Sequence, residues 1–292
     1  MQNIRVNLIE LIRRTSSDLP DDVQKTIIAS LKKEAKRSLA EQTLLIIKKN
    51  IEMAEQKSQP ICQDTGSILF FIRVPIGFDV LKFEAETRKA VADATRMGYL
   101  RQNSVDSLTG HNTGNNLGPG TPAFHYQFGH KPHVDVRLIL KGGGCENVGA
   151  QYSLPNSALS ANRDLDGCRK VILDAVLQAQ GKGCGPGILG ICIGGDRTTG
   201  GIHAKEQFLR KMNDRNPNPD LDLLELDIVN TANRLGIGPM GFGGTTTLLG
   251  CKIGVLNRLP ASYFVTISYM CWAYRRQGFL LNTHGKITKW LY

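Results

Sequence analysis

The chain has 292 residues, 41% hydrophobic and 21% charged, a balance that supports a packed core and excludes a disordered chain. No apolar run reaches the ~20 residues of a membrane helix, and the N-terminus lacks a signal peptide's apolar centre and cleavage site, so a cytoplasmic location is expected. The net charge of +10 leaves a nucleic-acid-binding protein open, although the basic residues are scattered and their denser runs, "LKKEAKR" and "IIKKN", read as solvated helix faces; the milder functional reading is a field that draws in small anions.

Residues 6–14 carry apolar positions at helical spacing, and Pro20, Asp21 and Asp22 make a helix start ahead of a helical run over 23–56. "QPICQDTGSILFF" (59–71) then places Cys62, Gln63, Asp64 and Thr65 on the lip of an apolar strand over 67–74. A turn accounts for Asp64 and Gly66. It does not account for the thiol and amide beside them. An amphipathic helix is predicted over 83–100, and residues 101–122 lose all periodicity, a length of irregular chain that marks function or disorder.

Residues 133–140 alternate as a strand and run into "KGGGCEN" (141–147). A helix over 165–180 ends at the glycine-rich "GKGCGPG", followed by a buried strand in "ILGICIGG". Helices over 202–212 and 222–235 flank the surface loop "NDRNPNPD". A second glycine cluster, "GIGPMGFGGTTT", precedes strands over 248–256 and 262–272. The pattern has no internal repeat and predicts a single α+β domain over 1–292, with a helical N-terminal part over roughly 1–57 and mixed β-sheets with flanking helices after it.

Seven cysteines without a CxxC pair argue against a disulfide framework and against zinc ribbons. Cys168, Cys192 and Cys251 lie inside apolar elements and read as core. Cys62, Cys145 and Cys184 sit in glycine- or proline-containing loops, and Cys271 ends an apolar strand. Widely spaced loop cysteines fit an iron–sulfur site assembled by the fold better than a local chelating motif. A cysteine nucleophile would want a histidine base, which no context marks. His111, His125, His130 and His133 with Asp135 are a weaker metal candidate, their spacing matching no ligand pattern. Neither glycine cluster is a nucleotide fingerprint.

"ICQDTGS", "KGGGCEN", "GCGPGILGICIGG", "GIGPMGFGGTTT" and "LPASYFVTISYMCWAYRR" together resemble the alpha subunit of the class I iron–sulfur hydro-lyases, the family of two-subunit fumarate hydratases and L(+)-tartrate dehydratase. The resemblance covers nearly the whole chain. It implies a [4Fe–4S] cluster held by Cys62, Cys184 and Cys271, with substrate contacts from Gln63, Asp64, Arg101, Gly143 and Gly144 and a catalytic role for Asp64. It further implies reversible hydration of a small dicarboxylate (fumarate to malate, with tartrate to oxaloacetate as alternative) and a separate beta subunit carrying the second catalytic domain, in an α2β2 hetero-oligomer. Cys145 departs from the family, which commonly has serine there.

Overall fold

The computed structural model describes residues 4–282 and 285–292. The fold is α+β. In chain order its elements are α1 (Ile4–Ser17), α2 (Asp21–Leu31), α3 (Leu39–Lys57), β1 (Ser67–Pro75), α4 (Val80–Arg96), β2 (Ala123–Gly129), β3 (Val134–Lys141) and the single turn α5 (Gly143–Asn147). Then come β4 (Ala150–Ser153), α6 (Leu165–Ala179), β5 (Gly187–Ile193), α7 (Arg197–Glu206), α8 (Pro219–Arg234), β6 (Leu248–Val255), β7 (Phe264–Met270), β8 (Arg276–Leu281) and β9 (Ile287–Trp290). The chain forms two compact units: Met1–Asp21 with Lys49–Gly143 and Arg275–Tyr292, and Asp22–Lys48 with Gly144–Tyr274.

The first unit holds a five-stranded sheet, β2-β1-β3-β8-β9, in which β1 and β2 are parallel and the other neighbours antiparallel. Alternate residues of β1 (Ile68, Phe70, Ile72, Val74) and of β3 (Val136, Leu138, Leu140) join one core with Leu8, Leu11 and Ile12 of α1 and Phe83, Ala90, Val91 and Ala94 of α4. Period-2 strands and 3.6-period helices thus turn their apolar faces to one another. Asp79 starts α4 by accepting from the Lys82 N–H (2.9 Å), three residues before the predicted start.

The second unit holds a four-stranded sheet, β4-β7-β5-β6, with β5 and β6 parallel. Leu189 and Ile191 of β5 meet α6 and α8 in a core with Val171, Ile172, Val176, Leu224 and Ile228. The opposite face of β5 receives α7. At Gly190 a Cβ would lie 2.3 Å from the Ala204 carbonyl oxygen, so glycine permits that close approach. With both faces covered, β5 is buried at every position.

Three sequence readings change. The helical run over 23–56 is broken between Leu31 and Leu39, where Arg37 takes a left-handed φ of 62° and the Ser38 hydroxyl accepts from the Glu41 N–H (3.1 Å) to start α3. Strand β2, unpredicted, pairs residue for residue with β1, and Phe124 and Tyr126 stack along it. Strands β8 and β9 were also unread: β8 opens with Arg276 and Gln277, both buried, which hides its alternation.

Candidate functional site

The residues read from sequence fall in both units: Cys62, Gln63, Asp64, Arg101 and Gly143 in the first, Gly144, Cys184 and Cys271 in the second.

In the first unit the register Ser67–Lys141 sets the start of β1 against the end of β3. Gly66 (φ 74°) makes this possible, because a Cβ there would lie 2.2 Å from the Lys141 carbonyl oxygen. Asp64 is the hub. Its Oδ1 accepts from the Gly66 N–H (2.7 Å) and from the Asn103 carboxamide, and its Oδ2 accepts from the Gly143 N–H (2.6 Å). The Gly66 bond is the turn anticipated from sequence. The other two bonds tie that turn to the irregular segment and to the glycine triad. The Asp64 N–H in turn donates to Cys62 Sγ (3.4 Å), and the Cys62 thiol, half-buried, faces the exposed Gln63 Oε1 at 3.6 Å.

Arg101 is held by its backbone. The Thr65 hydroxyl donates to the Arg101 carbonyl (2.8 Å) and accepts from its N–H (2.8 Å), while Asn116 Nδ2 donates to the same carbonyl (2.8 Å). Asn116 Oδ1 accepts from the Asn103 N–H (2.8 Å), closing the frame. The Arg101 side chain is exposed and has no hydrogen bond or ion pair among the described residues. Asn103 and Asn116 were missed as single residues. Their signal was the loss of periodicity over 101–122.

In the second unit Cys184 is exposed, with a φ of 54°, and its carbonyl accepts from the Trp272 N–H (3.4 Å). Cys271 is 7% exposed, and its thiol faces the Ala273 carbonyl (3.8 Å). Cys145 is corrected from a loop residue to a buried position on the one-turn α5, its sulfur 3.9 Å from the Gly183 carbonyl. Tyr269 organises this side. Its ring lies where side chains on Gly183 and Gly187 would go, the ideal Cβ positions being 2.5 and 2.2 Å from ring atoms. Burial, and then the neighbouring Cys271, Cys145 and Cys184, push the Tyr269 phenol well above its usual range. The Met240 N–H donates to the Gly185 carbonyl (3.0 Å), bringing the second glycine cluster to the first.

The remaining cysteines behave as core. Cys168, Cys192 and Cys251 are buried, and burial raises all three thiols, Cys192 to about 12. Among the described residues, no three His, Cys, Asp or Glu side chains gather into a group able to hold a metal ion. In the histidine-rich middle, Asp135 is spent on a two-bond pair with Arg137 (2.9 Å each) and His125 stacks on Phe71.

The close approach at Gly66 has a measurable consequence. Gly98 shares its positive φ (79°) with nothing within 4 Å, so Gly98→Ala should cost about 1 kcal/mol, the left-handed penalty alone. Gly66→Ala adds a backbone collision and should cost ~3 kcal/mol or more. Thermal or denaturant unfolding of both variants checks this, and equal losses would remove the close approach from the account.

The chain matches the profile of the fumarate hydratase (Fumerase) family over residues 6–279. It is 50% identical over 296 residues to a Geobacillus stearothermophilus protein named putative fumarate hydratase class I; the match takes in 100% of this chain and 58% of that relative. The chain therefore spans less than two thirds of that relative's length. It is 32% identical over 274 residues to the putative L(+)-tartrate dehydratase subunit alpha of Methanocaldococcus jannaschii, covering 92% and 94% of the two chains. Against the L(+)-tartrate dehydratase subunit alpha of Escherichia coli K12 it is 30% identical over 269 residues, covering 91% and 87%. On the extent of the profile match and these identities, the chain belongs to the fumarate hydratase (Fumerase) family.

Proposed function

We propose that this chain is the iron–sulfur-bearing part of a hydro-lyase that reversibly adds water to a small dicarboxylate, with fumarate to malate as the reaction and L(+)-tartrate to oxaloacetate as the second reading. One observation carries it: the Asp64–Asn103–Asn116–Thr65 frame holds a carboxylate and, beside it in the network, an arginine whose backbone is fixed and whose exposed guanidinium has no partner among the described residues. The relative named a putative fumarate hydratase class I favours fumarate, and the two named tartrate dehydratase alpha subunits keep tartrate in second place. Family membership favours this reading over nucleic-acid binding.

The donor set fits a [4Fe–4S] cluster. Cys62, Cys184 and Cys271 offer thiolates, the ligand type such clusters take, and the Asp64 N–H already points at Cys62 Sγ. When bound, the cluster supplies a Lewis-acidic iron that polarises the C–O bond of the substrate. Arg101 grips a substrate carboxylate with its planar fork. Asp64 holds the proton exchanged at the substrate hydroxyl, and Gln63 orients that hydroxyl through its carboxamide. Glycine at 143 and 144 keeps space for the diacid; a Cβ on Gly143 would stand 3.5 Å from Asp64 Oδ2. The alpha-subunit names of two relatives support a beta subunit as partner, and α2β2 is the assembly proposed for the pair. No helix among the described residues is long and apolar enough to cross a membrane.

Arg101→Lys tests the assignment. Charge survives but the fork is lost, so the KM for the diacid should rise about tenfold or more while iron and sulfide content stay at the wild-type level. Anaerobic kinetics on fumarate, L(+)-tartrate and mesaconate, with the partner co-expressed, give both quantities. An unchanged KM for the substrate turned over would remove Arg101 from the site.

A further inference from the structure

Arg275 is 1% exposed, one of the most deeply buried large side chains in the protein. Its backbone carbonyl accepts from the Leu140 N–H (3.1 Å), which fixes the residue at the edge of β3. Its guanidinium makes one hydrogen bond, from Nη1 to the main-chain carbonyl of Asp64 (2.7 Å), and its Nε, fully out of solvent, has no partner among the described residues. No carboxylate pairs with it among those residues.

Such an arrangement is costly. A guanidinium keeps its charge at any working pH, and a charge taken out of water without a counter-ion is strongly destabilising. Arg137, a half-buried arginine of the same unit, has its charge matched by two bonds to Asp135. Arg275 has no equivalent, and the group it touches is the loop that carries Cys62 and Asp64. The Asp64 carboxylate bonds to the neutral donors Gly66, Asn103 and Gly143 and makes no ion pair with Arg275 among the described residues.

We infer that Arg275 is a positioning residue and buried counter-ion for the Cys62–Asp64 loop: it clamps the loop through the Asp64 carbonyl, and its charge offsets the anionic thiolates and dicarboxylate that occupy the site in the working protein. The inference rests on the hydro-lyase reading for the identity of those anions, while the clamp rests on the Arg275–Asp64 bond alone. A buried positive charge beside the loop favours the reduced, more negative state of a cluster ligated there and the binding of a doubly negative substrate.

Three substitutions separate charge from clamp. In the complex co-expressed and purified without oxygen, Arg275→Gln removes the charge but keeps a donor, Arg275→Lys keeps the charge but loses the fork, and Arg275→Met removes both. The cluster's midpoint potential, followed by electron paramagnetic resonance, should fall in Arg275→Gln and Arg275→Met and hold in Arg275→Lys. Fumarate affinity should weaken about tenfold in the two neutral variants, the order one buried charge exerts at short range. Hydrogen exchange at the amides of 64–66 should speed up most in Arg275→Met, a readout that needs no cluster. Wild-type potential and fumarate affinity in a fully loaded Arg275→Gln protein would overturn the counter-ion, and wild-type exchange in Arg275→Met would overturn the clamp. If both neutral variants fail to fold, a lowered potential in Arg275→Lys overturns the counter-ion and a wild-type one supports it. A wild-type protein that binds neither iron nor diacid would instead defeat the hydro-lyase reading, leaving the exchange result to judge the clamp.

Discussion

Cys62→Ser, Cys184→Ser and Cys271→Ser are each expected to reduce hydration below about 1% of wild type, with loss or rapid decay of the reconstituted cluster, because an alkoxide cannot take the place of thiolate toward iron–sulfur cores. Serine at Cys168, Cys192 or Cys251 should leave the cluster in place. There the cost is structural: a hydroxyl buried in an apolar core loses about 1–3 kcal/mol of stability. The structure sharpens this contrast. The three core thiols are raised by burial, whereas Cys184 is exposed and Cys62 half-buried with a backbone N–H aimed at its sulfur; Cys271, 7% exposed, is set apart only by its place at the end of β7. Cys145→Ser should keep the cluster, since its sulfur already faces the Gly183 carbonyl, to which a serine hydroxyl can donate. Iron and sulfide analysis of all seven variants checks the assignment. Loss of the cluster on changing Cys145, or any core cysteine, would redraw the ligand set.

Asp64→Asn is expected to lower kcat by about a hundredfold or more, the range lost with a general acid–base group. The turn alone would predict silence, since asparagine suits turns. The structure rules silence out on either account. Both carboxylate oxygens accept hydrogen bonds, so an amide NH₂ must face Gly66 N–H, Asn103 or Gly143 N–H donor to donor. That mismatch should cost about 1–3 kcal/mol of stability. Asn103→Ala is the control, deleting one bond to Asp64 while leaving the carboxylate. If Asp64 transfers a proton, Asp64→Asn loses far more rate than Asn103→Ala at matched folded fraction. Equal losses would reduce Asp64 to a bracket.

Local chemistry made much of this legible before the fold was known. The core cysteines were readable because each sits within an apolar, periodic stretch. The loop cysteines and Asp64 were readable because glycine surrounds them. Residues acting over long sequence separations were not. Tyr269 looks like an ordinary inward aromatic of β7, and only the fold shows Gly183 and Gly187 stripped of side chains to accommodate it. Arg275 follows an apolar strand and looks like a surface cation, yet it is buried behind a loop 211 residues away in sequence. Strand β2 escaped because its alternating aromatics sit among histidines, and α7 begins before its predicted start because Gly200, poor for helices, is needed where a Cβ would lie 2.9 Å from Thr266 Oγ1.

On the function proposed above, this chain supplies the cluster and the diacid grip of a hydro-lyase whose remaining catalytic groups lie on a partner. Malate formation from fumarate, followed anaerobically by proton NMR, tests it most directly when the chain alone and the chain co-purified with its partner are compared at equal iron and sulfide content. Malate should form with the complex, with negligible turnover by the cluster-loaded chain alone. Substantial turnover by the single chain would contradict the division of labour, and a cluster-loaded complex that hydrates or dehydrates none of fumarate, L(+)-tartrate and mesaconate would contradict the hydro-lyase itself.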